Sequence, residues 1–505
     1  MSLVMGTVMV SAQQNIDPTV QVSRDYEATL MQITKSPIEM SVIDTLSKLD
    51  LKFDYTVFDR PFKDLYEFVP LKSIDIDHDK EILYPSSYVK LAYSYPVIPY
   101  ADVIISPRLG DRFALVLDAH HRSVWNDPLS NDIMNNNVGL GLGYAFKELE
   151  LVGKFRYNNG YNVLSDSLSR NYNKLDFNFG VRSTSAKNNA ISYGFEIDYN
   201  YLNDNALLKE FNTDVDAFIG FAFLTYHKAE LIFGTSMVNN YSLYNITPKY
   251  YVNKGRSKFI AGLDVSFDKK MSAVYPKLEL SYEAVSDNLW LYLRVDGYSE
   301  LNTNISVLDH TPWAYMSIDE YSVTKNVLGE FGLRGQMQSR FSYDLKAGFS
   351  NNRDVLSFYF TSLSNHLESF TYNFSRFYSD LSLAYEISSL KLEGGFRYNH
   401  FYKEDIYLMP EIKANLSVAY NYMDRFSVKV GCDYLGEMYC YDALSLNSKA
   451  AVAQSFDLQA NMSYAYNEKY SFFIQGKNLL NQKRQYVAHY LEPGANFGAG
   501  ITMKF

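Results

Sequence analysis

Cysteine is nearly absent from this chain, and so are long apolar runs. The two cysteines, Cys432 and Cys440, are too few for a disulfide-built scaffold. Neither lies near the start, which argues against a lipid-anchored lipoprotein. They could bridge the mouth of one hairpin in an oxidising compartment, or remain unpaired. Past the first residues no stretch approaches the ~18–20 apolar residues that a membrane-spanning helix needs. Positive charge is also short: 47 Lys and Arg against 57 Asp and Glu leave a net charge of −10. With no basic, phosphate-neutralising face, a nucleic-acid partner is excluded.

Aromatic residues are what the chain has in excess. Its 44 Tyr, 33 Phe and 3 Trp make up 16% of 505 residues. A water-soluble core would surround so many rings with more aliphatic residues, whereas a membrane β-barrel places them in girdles at its two lipid–water boundaries. Mean hydropathy is nonetheless slightly negative, as expected of strands with one lipid-facing and one lumen-facing row.

From about residue 86 to the end, two-residue alternation recurs. Val138, Leu140, Leu142, Tyr144 and Phe146 point one way, and Gly139, Gly141, Gly143 and Ala145 the other. Ile191, Tyr193, Phe195, Ile197, Tyr199 and Tyr201 form one apolar row over Ser192, Gly194, Glu196, Asp198 and Asn200. The segments Ile412 to Tyr422 and Phe426 to Tyr434 repeat the pattern around Asp424-Arg425. The opposite rows carry too many charges for a dry interior.

Tight turns are expected near Leu109–Asp111, Lys147-Glu148, Lys187–Asn189, His227-Lys228, Asp268–Lys270, Gln338–Arg340, Asp424-Arg425 and Asn467–Lys469. Long polar loops are expected at Trp125–Asn137, Asn158–Asn173, Asn240–Ser257, Leu435–Ala450 and Asn481–Ala495. Short periplasmic turns and long outer loops are the asymmetry of outer-membrane barrels. The fold class is therefore all-β, a transmembrane antiparallel β-barrel of about 22 strands, with 20 to 24 tolerable. The alternation is weakest over 298–325, where Pro312 falls.

Residues 1–12 read as the apolar part of a signal peptide, with cleavage after Ala12, although no basic residue precedes Arg24. Residues 13–85 form a short N-terminal periplasmic or lumenal segment, expected on or inside the barrel's periplasmic end. Residues 86–505 are the barrel.

The last strand is the clearest membrane signal. Phe497, Ile501, Met503 and the terminal Phe505 share its outward row. An amphipathic strand closing on an aromatic resembles the signal read by the outer-membrane barrel-assembly machinery as an added strand at a sheet edge. Upstream stand Asn478, Leu479 and Asn481, a tyrosine at 486, and Pro493, Gly494 and Asn496 before Phe497. This N-L-x-N turn, Pro-Gly loop and closing Asn-Phe strand is similar to the C-terminus of TonB-dependent receptors, and the composition is similar to Bacteroidetes members. The resemblance implies an outer-membrane, multi-pass location, lipid and the assembly machinery as partners, and transport. It also implies a plug of well over a hundred residues and an energy-coupling box; the short N-terminal segment leaves no room for that plug, and no box stands out. Ala495 holds the place of the family's arginine.

The expected function is thus passive or partner-gated transport by a plug-reduced relative, with a periplasmic or surface protein as partner. The alternative is a non-transporting structural subunit of an outer-membrane assembly. No nucleophile–base set or paired carboxylates stand out, so no enzyme and no cofactor are expected. Asp75, Asp77 and Asp79, with His78 and Glu81, offer oxygens to calcium, but spacing by two suits a strand edge and no metal site is expected. His120 and His121 are adjacent on a strand and face opposite ways. Tyr250-Tyr251 could stack on a sugar in an outer loop or sit in an interface girdle.

Overall fold

The strands Tyr88–Tyr95 and Asn496–Lys504 lie side by side, antiparallel, with Tyr88 opposite Lys504 and Tyr95 opposite Phe497. That pairing closes 22 antiparallel strands into a barrel. The computed structural model describes residues 87–505 except 96, 108, 111, 126–131, 166–167, 184–190, 207, 224, 287, 312, 316–317, 319–320, 339, 362–365, 403–405, 424, 443–448 and 488–489. The expected signal remnant, the N-terminal segment and the Asp75–Glu81 cluster lie outside the described residues.

Each strand pairs with the next in sequence as far as Phe426–Leu435. There the wall skips the hairpin Met438–Asp442 and Lys449–Val452, and Phe426–Leu435 pairs with Ser455–Ala465. Tyr470–Lys477 and Asn496–Lys504 complete the ring. The short pair Gln485–Val487 and Tyr490–Leu491 also stands off the wall. A closed sheet leaves no unpaired edge, the one sheet form that hydrocarbon tolerates.

Alternation gives the wall two unlike faces. In Ile191–Asp204 the outward Ile191, Tyr193 and Phe195 remain 43–50% exposed, while inward Glu196 and Asp198 both accept from Asn178 Nδ2 at 2.6 Å. Rings and aliphatic chains are exposed in this way all round the wall, which is stable only with lipid as the solvent. The chain is a multi-pass outer-membrane barrel.

The two ends differ. At the end where the chain finishes, connections are tight: Gly255-Arg256 joins Tyr241–Lys254 to Ser257–Phe267, with Gly255 at φ +60°, a left-handed value that favours glycine. At the other end run long segments, including 303–321 and 478–495. By this asymmetry the tight turns face the periplasm.

Two loop expectations fail. The stretch 158–173 is not a loop, since Leu149–Ser165 and Leu168–Ser183 run through it. Above the bilayer both faces of a wall strand meet water, so alternation fades while the ladder continues. The stretch 240–257 is the strand Tyr241–Lys254, whose ladder to the next strand skips Thr247 and Pro248 because proline has no amide to donate. The turn at Asp268–Lys270 consequently lies at the outer end. No disulfide joins Cys432, on the wall, to Cys440, buried in the outer cap.

Candidate functional site

Two features bear on function: the charged lumen wall and the cap of loops at the outer mouth. On one arc of the wall, opposite charges alternate from strand to strand. Lys277 meets Asp264 at 3.7 Å and Asp296 at 2.6 Å. Arg294 joins Asp296 at 2.5 Å to Glu330 at 3.8 Å. Lys346 bridges Glu330 at 4.0 Å and Asp380 at 3.6 Å, and Arg397 closes on Asp380 at 2.6 Å. Each carboxylate here has a cation beside it. Glu196, Asp198, Asp214 and Asp216, on Ile191–Asp204 and Lys209–Phe223, form no such pairs among the described residues, and are served instead by neutral donors such as Asn178. The lumen is therefore polar all round and negative along that arc.

The outer mouth carries the largest buried apolar cluster of the described chain. Its centre is the short helix Asn304–His310 and the segment after it, where sequence alternation fails. Thr303 caps the helix by accepting from Ser306 N at 3.0 Å. Ile305, Val307, Leu308 and Trp313 are buried against Tyr172 and Leu202 from one side of the wall and against Leu356, Phe358 and Leu367 from another. Leu408, Met438, Cys440, Val452 and Tyr490 join from the remaining outer segments.

Long side chains tie these pieces together. Arg170 donates to Ala314 O at 2.6 Å, and Tyr490 Oη donates to Leu164 O at 2.5 Å. Trp313 and Tyr490 stack with centroids 5.5 Å apart. The strands Phe341–Thr361 and His366–Ile387, with 21 and 22 residues, extend ~70 Å along the chain at ~3.3 Å per residue, well past the ~30 Å hydrocarbon. The free edge of Phe341–Thr361 is taken up by parallel pairing of Tyr359 with Tyr441. Ala314 bridges to Leu367 on the other strand of that hairpin. The loops are thus a packed lid rather than loose connections.

The C-terminal residues singled out from sequence fall into two groups. Phe497, Met503 and Phe505 are exposed on the lipid side of the closing strand, with Ile501 half-buried in the same row. Asn478, Leu479, Asn481, Pro493, Gly494 and Asn496 gather at the outer end. Asn478 and Asn481 have φ of +48° and +50°, a region asparagine tolerates better than other non-glycine residues. Asn478 Nδ2 donates to Gln482 O at 2.8 Å and Pro493 O at 3.2 Å. Asn481 Oδ1 accepts from Ala495 N at 2.9 Å. A Cβ on Gly494 would come within 2.6 Å of that same oxygen. Leu479 N donates to Leu458 O at 2.9 Å, tying the turn to the wall, and Asn496 Nδ2 reaches Gly494 O at 3.4 Å.

Beneath this turn Arg484 pairs with both Asp457 and Glu492. Burial pushes the Glu492 carboxyl up to about 7, against the pull of Arg484. Sequence reasoning missed this trio because Asp457 belongs to a wall strand while Arg484 and Glu492 look like ordinary loop charges.

His120 and His121 do point apart, to Asp102 at 2.6 Å and Asn136 at 2.6 Å. Tyr250 lies at the tight-turn end, where its hydroxyl meets His227 Nδ1 at 2.7 Å beside Phe223. It is a girdle residue, and the outer-loop sugar reading is overturned. Among the described residues no group of His, Cys, Asp and Glu is placed to hold a metal.

No family model matches the sequence, and no curated protein matches it. Solved structures do share the fold. The siderophore receptor PirA from Acinetobacter baumannii is 11% identical with a TM-score of 0.64, over 83% of this chain and 80% of that one. The ferric-catecholate import receptor Fiu from E. coli K12, in its closed form, is 10% identical with a TM-score of 0.64, over 84% and 82%. The copper transporter OprC is 10% identical with a TM-score of 0.60, over 84% and 80%. At such identities the likeness concerns the fold, the one implied by the C-terminal resemblance to TonB-dependent receptors.

Proposed function

We propose that this barrel carries polar solutes across the outer membrane as a plug-reduced relative of TonB-dependent receptors, with its own outer loops as the gate. The observation that carries the reading is the pairing of a charged lumen with a mouth covered by a packed apolar lid. An inner wall lined with ionised groups is stable only when hydrated, and a barrel of this size has room for water or a plug. A mouth held shut by a buried cluster, rather than by loose loops, argues for gated over freely passive passage.

The remaining parts take their places around that reading. A periplasmic partner protein biases the lid between its states. The closing strand, with Phe497, Ile501, Met503 and Phe505 outward, is what the barrel-assembly machinery engages during insertion. The likeness to import receptors and a copper transporter supports transport as the class of activity and leaves the cargo open. The neighbours of this fold named above are receptors and a transporter rather than enzymes, which fits a non-enzyme.

Planar-bilayer recording tests the proposal. The wild-type protein is expected to show low conductance with brief openings, and deletion of residues 304–318 to give long-lived open steps. Silence from both proteins, with both folded, would sink the transport reading and favour a structural subunit.

A further inference from the structure

The lumen wall holds a recess of about 260 Å³ opposite the acidic arc, and nothing in the lid or the C-terminal turn accounts for its lining. It lies where the strands Ile412–Tyr422, Phe426–Leu435, Ser455–Ala465 and Tyr470–Lys477 run side by side. Lys429 stands directly opposite Asn461, and Asn461 opposite Gln475. Directly opposed residues on one face have their Cβ atoms within about 5 Å, so the three form one row. Gly431 lies opposite Gln459, and Gly498 opposite Gln475. Gly431 lines the recess and sends no side chain into it.

Its lining sets two ammonium groups, Lys429 and Lys477, and several side-chain amides beside the carboxylates of Glu393 and Asp433. Asn461 is only 6% exposed, and its Nδ2 has no hydrogen-bond partner among the described residues. A buried, unsatisfied amide donor costs about 1–3 kcal/mol, so its retention in a roomy polar hollow calls for a ligand. Lys429 forms no ion pair among the described residues. Glu393, the carboxylate whose field it feels, is held by Lys391 at 2.7 Å. At the rim, Asp433 accepts from Gln459 Nε2 at 3.0 Å.

We propose that this recess binds the carboxylate of a small zwitterionic or hydroxylated solute. The Lys429 ammonium and the amide donors on its row, with Lys477 at the same recess and Glu393 and Asp433 offsetting part of the positive charge, match one negative charge spread over two oxygens. A dianion fits worse, because Glu393 and Asp433 repel the second charge. Those same carboxylates accept from an ammonium or hydroxyl group on the solute. The volume lies just under the ~300 Å³ at which drug-sized pockets begin, which limits the occupant to amino-acid dimensions. The inference rests on the lumen being a solute path, and supplies that path with a substrate class.

The test is L-alanine binding to the full-length protein in detergent micelles, read by saturation-transfer NMR. Folding of every variant is checked by heat-modifiable migration on gels. Wild type is expected to bind L-alanine, acetate to displace it, and Lys429→Met to weaken binding about tenfold, the loss of one charged hydrogen bond. Lys429→Arg should retain most of the binding, and Lys413→Met, a lumenal lysine outside the recess, all of it. Three results overturn the proposal: no binding to folded wild type, an equal loss in Lys413→Met, or displacement by inorganic phosphate more readily than by acetate. Binding is read without any current, so its failure leaves the conductance test of transport standing.

Discussion

Glu210 holds the start of the lid helix through Asn304. Its Oε2 accepts both the amide nitrogen and the side-chain Nδ2 of Asn304 at 2.9 Å, and its Oε1 accepts Ile305 N at 2.9 Å. Glu210 is fully buried near the outer end of a wall strand. The first turn of a helix has amide donors with no partner of their own, and here a wall carboxylate supplies three acceptor contacts at once.

Glu210→Gln replaces one acceptor oxygen with a donor that faces other donors. The lid helix is expected to loosen by about 1–3 kcal/mol while the barrel stays folded. Hydrogen exchange checks this: amides 304–308 should lose protection in the variant while wall strands keep theirs. Equal loss throughout would show that the contact serves the barrel as a whole.

Phe358 is fully buried where the lid meets the long hairpin. Truncation to Ala removes a ring from a packed cluster and costs about 3–5 kcal/mol. Because the cluster joins the lid to the wall, that cost should fall on the closed state. Open time in planar bilayers is expected to rise at least tenfold over wild type. Unchanged gating, with global stability lowered, would count against a moving lid.

Glu492 supplies a pH dependence. Its neutral form is favoured by burial, which outweighs the pull of Arg484 and Lys477, and the nearby Asp457 carboxylate adds to the rise. A carboxyl whose folded value is raised contributes stability that is fully present below its ordinary 4.5 and is lost as pH rises through about 7. The segment 478–495 should thus resist proteolysis better at pH 5 than at pH 8. In Glu492→Gln the difference between the two pH values should vanish.

Adjacent residues on one wall strand should answer oppositely to the same change. Phe177 is 47% exposed on the lipid side, opposite Phe155 and Tyr199. Phe177→Arg is expected to cost about 2–4 kcal/mol at mid-membrane depth, read from urea titration of the protein in lipid vesicles. Asn178→Arg puts a cation between Glu196 and Asp198 and should change stability by no more than about 0.5 kcal/mol or raise it. Matching losses would mean that the inside and outside of this wall have been exchanged.

Much of the wall was legible because lipid on one side and water on the other impose a period of two on every strand between them. Val138–Phe146, Ile191–Tyr201 and the closing strand could be assigned their faces from that period alone. It stopped being informative at 158–173, where the wall rises into water on both sides, and at Pro248, where a strand tolerates a residue that punctuates most sequences. The N-L-x-N turn was visible as a pattern, but its reason, two left-handed asparagines bonded to the Pro493–Ala495 loop, is a matter of geometry.

The sequence by itself determined the barrel, its membrane and the direction of every wall face that lipid touches, because those follow from alternation along one strand at a time. Only the tertiary structure decided that the outer segments form a lid, that Glu210 anchors it and that Lys429, Asn461 and Gln475 share a row. Closure of the ring brings together residues that lie tens to hundreds of positions apart, and no local period records which of them will meet.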